Sequence, residues 1–351
     1  MEAVDRNASD LHVVVGYPPT ARIHGNLFEL EPTPISADEI EDLLMTVCPG
    51  NRREQFFKDN NLDFAPMLER ETSGGDSGAQ RFRANYFING QNMGGCFRII
   101  PAQIPDFQWA GFPYDLADQL AHLRNGLVLV TGVAGSGKST TLAMIVNMLV
   151  QEGGYRVITI EDPIEYVFQH VKESVVTQRE VGQDVGSFAD GLKFGLRQDP
   201  DVILVGEIRD RETAQMALSA AGTGHLVFST LHTRDAKGVI SRFADLFPHT
   251  VQNEVRSQLA LSLRAVVSQH LLPSKIPEAK RELALEIMFN TAPVGAAIRM
   301  NKLESIDNYL LTGKSDGMQT LDESIRQMYR AGRISIETAQ RFVSDPRYLN
   351  R

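Results

Sequence analysis

An α/β fold built on a parallel sheet, preceded by a smaller α+β domain, is what this sequence of 351 residues predicts. Three observations predict it. First, LVLVTGVAGSGKSTTLAMIV, from Leu127 to Val146, opens as an apolar β-branched run, breaks into a glycine-rich turn and continues as a helix with an apolar stripe. Second, further apolar strands (YRVITIE, DVILV, HLVFSTL) alternate downstream with helical patterns, as βαβ units require. Third, the first hundred residues hold strands and a helix with none of those crossover-length repeats.

The N-terminal stretch is taken first. LHVVVG and TARIHGNLFEL read as strands joined by the Gly16–Pro19 turn, with alternation through Arg22, Ile23 and His24. Ser36 followed by Glu39 gives a capping-box start to a helix, ISADEIEDLLMTV, that stops before Pro49–Gly50. RREQFFKDN is a second, short helix. ETSGGDSGAQ is small and polar, the composition of a surface hairpin loop between strands. RFRANYFING and GCFRII follow as strands, so helices cover a largely antiparallel sheet over residues 1–100. Arg81, Arg83 and Arg98 fall on these strands. Either they are solvated cations on an exposed face, or some reach across a subunit boundary to another copy's phosphates.

PAQIPDFQWAGFP, with its prolines, reads as an irregular connection over residues 101–115. Trp109, the one tryptophan, is weighed as a packing anchor there against a base-stacking platform, and packing is preferred. DLADQLAHLRNG then forms a short amphipathic helix leading into the glycine-rich strand. That strand's turn carries G-x-x-x-x-G-K-[ST], with Gly132, Gly137, Lys138 and Ser139 in the fixed places. Gly132, Gly135 and Gly137 allow backbone conformations in which successive N–H groups converge on phosphate oxygens, and the helix behind adds its positive dipole end. Lys138 supplies a mobile cation and Ser139 a hydroxyl for Mg²⁺. These residues in this context make a nucleotide site.

Beyond it, YRVITIEDPIEY is a strand ending in Glu161, Asp162 and Glu165. Ligands of such sheets sit beyond the carboxyl ends of strands, which aims these acids at the site. A base for attack by water on a terminal phosphate must be a carboxylate or similar group. The alternative, turn and helix-cap acids beside Pro163, suits Asp162 better than Glu165. DVILVGEIRD is a buried strand with Glu207 at its carboxyl end, where an acid orients Mg²⁺ through water, although Asp is the usual residue. ETAQMALSAAGTGH is a small-residue helix. HLVFSTLHT is a strand with His225 and His232 at its ends, roughly 23 Å apart if extended, too far to share one metal ion. Strand-end histidines are commonly structural; His232, at the carboxyl end, is the better placed to sense a γ-phosphate. Ala236 to Leu272 reads as helical throughout, residues 283–289 as a strand, and the remainder as helices broken at TGKSDG.

Composition excludes several classes. The net charge is −9, with 42% hydrophobic and 23% charged residues, which argues against a chain-wide nucleic-acid footprint. No apolar run approaches the ~20 residues of a membrane span, and MEAVDRNASD is too polar for a signal peptide. Cys48 and Cys96 stand alone, so a paired-cysteine zinc site is excluded and a disulfide is not expected. The chain reads as cytoplasmic.

Four strings in order resemble one family. TGVAGSGKSTT is similar to a Walker A box, TIEDPIEY to an acidic box, QDPDVILVGEIRD to Walker B and TGHLVFSTLHT to a histidine box. With ASDLHVVVGYPPTARIHG near the start, they resemble the PilT-like retraction ATPases of type IV pilus systems, within the secretion-ATPase superfamily. The resemblance covers nearly the whole chain. It implies a PAS-like N-terminal α+β domain at 1–100, a linker at 101–115, and a RecA-like ATPase domain with C-terminal helices at 116–351. It implies ATP and Mg²⁺ as ligands, held by Gly132, Gly135, Ser136, Gly137, Lys138, Ser139 and Thr140. Glu165 resembles the general base and Glu207 the Walker B carboxylate. His225 and His232 resemble the paired histidines that link nucleotide state to the subunit interface, and Arg83 and Arg98 are candidates to act on a neighbour's nucleotide. Such enzymes work as homohexamers peripheral to the inner membrane, on a polytopic platform protein, sometimes beside a paralogous retraction ATPase, with neither nucleic acid nor stable zinc. One stretch departs: PVGAAIRM, Pro293 to Met300, stands where these ATPases commonly carry AIRNLIRE. A PilU-like accessory ATPase is the alternative that this departure implies.

Overall fold

The computed structural model describes the chain apart from Met1, Asn7, His24, residues 72–76, Pro101, Ala102, Pro277, Glu278 and Arg351. The expected hairpin loop at ETSGGDSGAQ and the His24 end of the first alternation fall wholly or partly outside the described residues. The chain divides into two compact units, Met1–Gln103 with Pro163–Val167, and Ile104–Asp162 with Phe168–Arg351.

In the first unit α1 (Glu2–Asp5) precedes β1 (Asp10–Val14), β2 (Thr20–Ile23) and β3 (Asn26–Glu29). The expected second strand is therefore a hairpin, bent at Gly25, whose φ of 87° suits glycine. Then come α2 (Ala37–Val47), α3 (Gly50–Asp59), β4 (Asn61–Phe64), β5 (Met67–Glu71), β6 (Ser77–Asn89) and β7 (Asn92–Ile99). The capping box at Ser36 and Glu39 forms as read from the sequence. The strands run antiparallel in the order β3-β2-β1-β7-β6-β4, with β5 on β6.

Period-2 alternation along β6 buries Phe82, Ala84 and Tyr86 and leaves Arg81 and Arg83 on the opposite face. Ile40 and Leu44 of α2 and Phe56 of α3 join Tyr86, Phe64 and Phe97 in one core. Tyr86 is its hub, edge-on to Phe64, Phe97 and Phe56 at centroid distances of 4.9, 5.8 and 6.1 Å. Its hydroxyl donates to the Leu44 carbonyl at 3.0 Å, and burial raises its pKa.

The second unit begins with α4 (Phe107–Ala110) and α5 (Tyr114–Ala121). The expected irregular connection thus contains a single helical turn. Asp106 caps it by accepting the Trp109 N–H, and Gly111 in the left-handed region ends it. Trp109 is 56% exposed and is not the packing anchor expected of it. Then follow β8 (Gly126–Thr131), α6 (Lys138–Glu152), β9 (Arg156–Glu161), β10 (Val175–Glu180), α7 (Phe188–Gly195), β11 (Val202–Val205), α8 (Arg211–Gly222) and β12 (Leu226–Leu231). After them come α9 (Ala236–Asp245), α10 (Gln252–Ser262), β13 (Leu263–Leu272), β14 (Glu282–Phe289), α11 (Ala292–Arg299), α12 (Glu304–Thr312), α13 (Leu321–Arg330) and α14 (Ile336–Phe342).

The strand order is β10-β9-β11-β12-β8-β13-β14, parallel except for β14. β8 and β12 are buried at every residue, the signature of a parallel strand covered on both faces. β13 overturns the reading of Ala236–Leu272 as helical throughout. LRAVVSQHLL is nearly continuously buried beside β8, and a buried apolar run does not reveal its period. The β-branched pair Val266 and Val267 was the signal for a strand.

Two outcomes follow for stability. Tyr86→Phe removes one of two donors from the Leu44 carbonyl, which keeps the Cys48 N–H at 2.9 Å, and should cost about 1 kcal/mol in chemical denaturation. His122, after α5, hydrogen-bonds through Nε2 to Glu152 Oε2 at 2.8 Å on the last turn of α6 and through Nδ1 to the Asp118 carbonyl at 3.0 Å. Both partners only accept, so the imidazolium, in which both ring nitrogens donate, is the form that satisfies both contacts. The Glu152 hydrogen bond holds its pKa above the ordinary histidine value. A raised folded pKa contributes stability fully below the unfolded value and loses it as pH rises through the folded one. The difference in unfolding free energy between wild type and His122→Ala, read by chemical denaturation, should be larger at pH 5.5 than at pH 8.5, by no more than about 0.5 kcal/mol because the pair is solvent-screened.

Candidate active site

The site lies at the carboxyl end of β8. Val130 pairs with Thr230 and Thr131 with Leu231 of β12, so the two strands end level. The Thr131 hydroxyl secures that end, meeting the carbonyls of Leu231 at 3.0 Å and Thr233 at 2.8 Å and accepting the Thr233 N–H at 2.9 Å. Neither threonine carries a recognisable motif, and both were missed in the sequence.

The turn after Thr131 is a backbone cradle. Gly132 has φ +145°, and a Cβ there would meet the Gln269 carbonyl and the Ser136 hydroxyl at 2.5 Å each. Gly137 has φ +89° and opens α6 with no side-chain cap. The first-turn N–H groups of a 15-residue helix are thus left for a ligand. Lys138 is buried, its ammonium donating to the carbonyls of Gly132 at 3.0 Å and Val133 at 3.1 Å. That places a cation inside the loop's curve. Ser136 Oγ is buried with no hydrogen-bond partner among the described residues, whereas Ser139 is exposed and Thr140 half-buried. A glycine-lined turn, an uncapped helix start and an enclosed ammonium fit a phosphate chain.

Glu207 reaches the same end of the sheet by a tight backbone path. The Gly206 N–H donates to Ile160 O of β9 at 2.8 Å, and its carbonyl accepts the Thr230 hydroxyl of β12 at 2.7 Å. The Ile208 N–H donates to Thr230 O at 3.1 Å. Glu207 is thereby held between two strand ends, buried, with both oxygens engaged. Oε2 accepts from His232 Nε2 at 3.0 Å and Oε1 meets Arg209 Nη2 at 2.5 Å. His232 and Arg209 are each more than half exposed. Arg209, two residues past the strand in QDPDVILVGEIRD, was not singled out from the sequence. A hydroxyl, Ser139, and a carboxylate, Glu207, could offer oxygens to Mg²⁺, and hard oxygens suit that ion.

Not every expected residue joins this cluster. His225 precedes β12 at its amino end, with Nδ1 near the Ala220 carbonyl at 3.1 Å and the Thr223 hydroxyl at 3.2 Å. β12 separates it from its own chain's cradle. Glu161 accepts from Thr159 at 2.6 Å and Gln178 at 3.2 Å. Asp162 lies 4.0 Å from Arg209. Glu165, half-buried, lies in the Pro163–Val167 segment of the first unit. No helix opens beside Pro163, so these acids do not cap one. In that unit Arg81 donates to the Ile164 carbonyl at 3.1 Å. Arg98 stands opposite both Asp10, its ion-pair partner at 2.9 Å, and Arg83, giving one rung with two cations and one anion on the face away from the core.

The family described as Type II/IV secretion system protein matches residues 102–343. PilT of Pseudomonas aeruginosa, described as a type IV pilus retraction ATPase, is 39% identical over 95% of this chain and 94% of its own. PilU of the same organism, a type IV pilus ATPase, is 34% identical over 96% of this chain and 85% of its own. A crystal structure of the pilus retraction motor PilT with bound ADP superposes with a TM-score of 0.85 at 41% identity, covering 100% of this chain and 97% of that one. Similarity of that extent, together with a glycine-rich cradle levelled against a buried carboxylate, places the chain in the type II/IV secretion system protein family as a PilT-like, ATP-hydrolysing enzyme.

Proposed function

We propose that this protein is a motor for type IV pilus retraction, a homohexamer at the cytoplasmic face of the inner membrane that acts on the pilus platform protein. The observation that carries the reading is the levelled pair of strand ends, with the cradle of Gly132–Ser139 on β8 and the Glu207–His232 contact beside β12, in a chain similar end to end to a retraction motor. The first unit supports a PAS-like reading, with α2 and α3 on one sheet face and the arginine rung on the other. Residues 101–115 are the connection about which that unit moves.

In this mechanism Lys138 and the α6 N-terminus bind the β- and γ-phosphates, while Ser139 and Glu207 would hold Mg²⁺, which would supply charge neutralisation that makes the terminal phosphate a better electrophile. Glu165 takes the proton of the attacking water. His232 keeps the Glu207 carboxylate oriented, and its solvent-facing side meets the terminal phosphate. Arg83 and Arg98 are offered to a neighbouring subunit's nucleotide; the rung already holds more cation than anion, so an incoming phosphate completes its charge balance. His225 carries the state of the site to the subunit boundary. Among the described residues no helix is long and apolar enough to cross a membrane.

A PilU-like accessory role is the second reading, and the remodelled Pro293–Met300 stretch favours it. Gly295 of α11 sits where a Cβ would meet Asn290 Oδ1 at 3.1 Å, so a larger residue there would have to displace Asn290. The higher identity to PilT favours the motor.

Steady-state turnover of purified protein tests the chemistry. Lys138→Ala should fall to background with its circular dichroism unchanged, and near-normal turnover would defeat the motor assignment. Glu165→Gln should keep ATP affinity and lose about 100-fold or more in kcat. Wild-type speed in that variant assigns the base elsewhere. In cells, deletion should leave hyperpiliated, non-motile bacteria; normal motility would exclude the motor role.

A further inference from the structure

The strand order says where a nucleotide's base must go. β8 lies between β12 and β13, and the terminal-phosphate machinery, Glu207 with His232, is on the β12 side of it. A phosphate chain lying along the cradle with its reacting end toward β12 has its nucleoside end directed toward β13 and β14. Two basic residues at the end of the turn between those strands converge on that side. Arg281 Nη2 donates to the Gly135 carbonyl at the crown of the cradle at 3.3 Å. Lys280, adjacent in the chain with its Cα about 3.8 Å away, places its ammonium 5.0 Å from the centroid of the Trp109 ring.

Trp109 is a large aromatic side chain kept more than half exposed by a deliberate local structure, the Asp106-capped turn of α4. The backbone beyond it is anchored to the same region. Gly111 has φ +72°, and a Cβ there would lie 3.5 Å from Arg333 Nη2 and 3.9 Å from Leu283 Cβ of β14. Arg333 in turn pairs with Glu282, the first residue of β14. An exposed indole on a fixed mount, joined through consecutive basic residues to the phosphate cradle, has the character of a stacking platform.

We propose that Trp109, braced by Lys280 and Arg281, forms the nucleobase-side wall of the nucleotide site, with the indole stacking on the purine ring. Arg281 uses one N–H on the Gly135 carbonyl and presents its remaining donors to the ribose and the α-phosphate. The inference rests on the ATP-site reading above and adds a recognition element for the base.

Because Trp109 is the only tryptophan, emission excited at the red edge of the absorption band, where the tyrosines do not absorb, reports on this wall alone. Titration with ADP–Mg²⁺ should shift or quench that emission with the same midpoint as an independent binding measurement by equilibrium dialysis of labelled ADP. Inorganic triphosphate, which has no base, should displace ADP from the cradle and leave the emission at its starting value. Trp109→Ala should raise KM for ATP by about 5- to 100-fold with a far smaller effect on kcat, and Trp109→Phe should recover most of that loss. ADP that binds in a Lys138-dependent manner without moving the emission, or a Trp109→Ala KM within twofold of wild type, overturns the base wall and leaves the ATP site standing. An emission change reproduced by inorganic triphosphate also overturns it. Failure of the wild-type protein to bind ADP at all overturns both.

Discussion

The level pairing of β8 with β12 is the constraint on which the site depends. A one-residue slip in a parallel pair moves every side chain to the other face, and here it would also part the phosphate cradle from Glu207 and His232. The Thr131 hydroxyl guards against that slip by bonding to the backbone of both Leu231 and Thr233. Neither threonine carries charge, yet together they set where the charged groups stand. The complete burial of both strands adds the bulk energy that makes such a slip costly.

From that level end, backbone contacts lead deeper into the second unit. Asp235 caps α9 through the Gly238 N–H, and the N–H of Ala236, the first residue of that helix, is given to Glu286 of β14 at 2.8 Å. Burial, ahead of the neighbouring Asp235 and Asp307 charges, pushes the Glu286 carboxyl up to about 7 against the backbone donors that oppose it. Lys237, beside it on α9, bridges Glu304 and Asp307 of α12. The helix that follows the histidine strand is therefore tied by one carboxylate to the edge strand and by one ammonium to the C-terminal helices.

Much of this was legible in the sequence, and particular residues show why. The Ser36 capping box, the buried run before Gly132 and the acid after DVILV each combine a local signal with a fixed spacing, so pattern alone finds them. β13 was misread because a fully buried strand and a buried helix expose the same apolar surface to a pattern search. The α4 turn was missed because proline-rich stretches accommodate a single helical turn wherever a cap such as Asp106 is present. Thr131, Arg209 and Arg281 escaped for another reason. Their partners lie 102, 2 and 146 positions away, and none belongs to a spacing rule.

Gly132 carries a consequence for how the glycine-rich turn is dissected by mutation. Its hydrogen atoms face the Gln269 carbonyl of β13, in contact range that no β-carbon tolerates. Any side chain installed there would wedge two neighbouring strands apart before it met a nucleotide. Loss of turnover in such a variant therefore reports on sheet geometry, whereas at Gly135, with open space where its Cβ would stand, it reports on the left-handed backbone of the turn itself, φ +75°. Two glycines of one motif thus answer different questions.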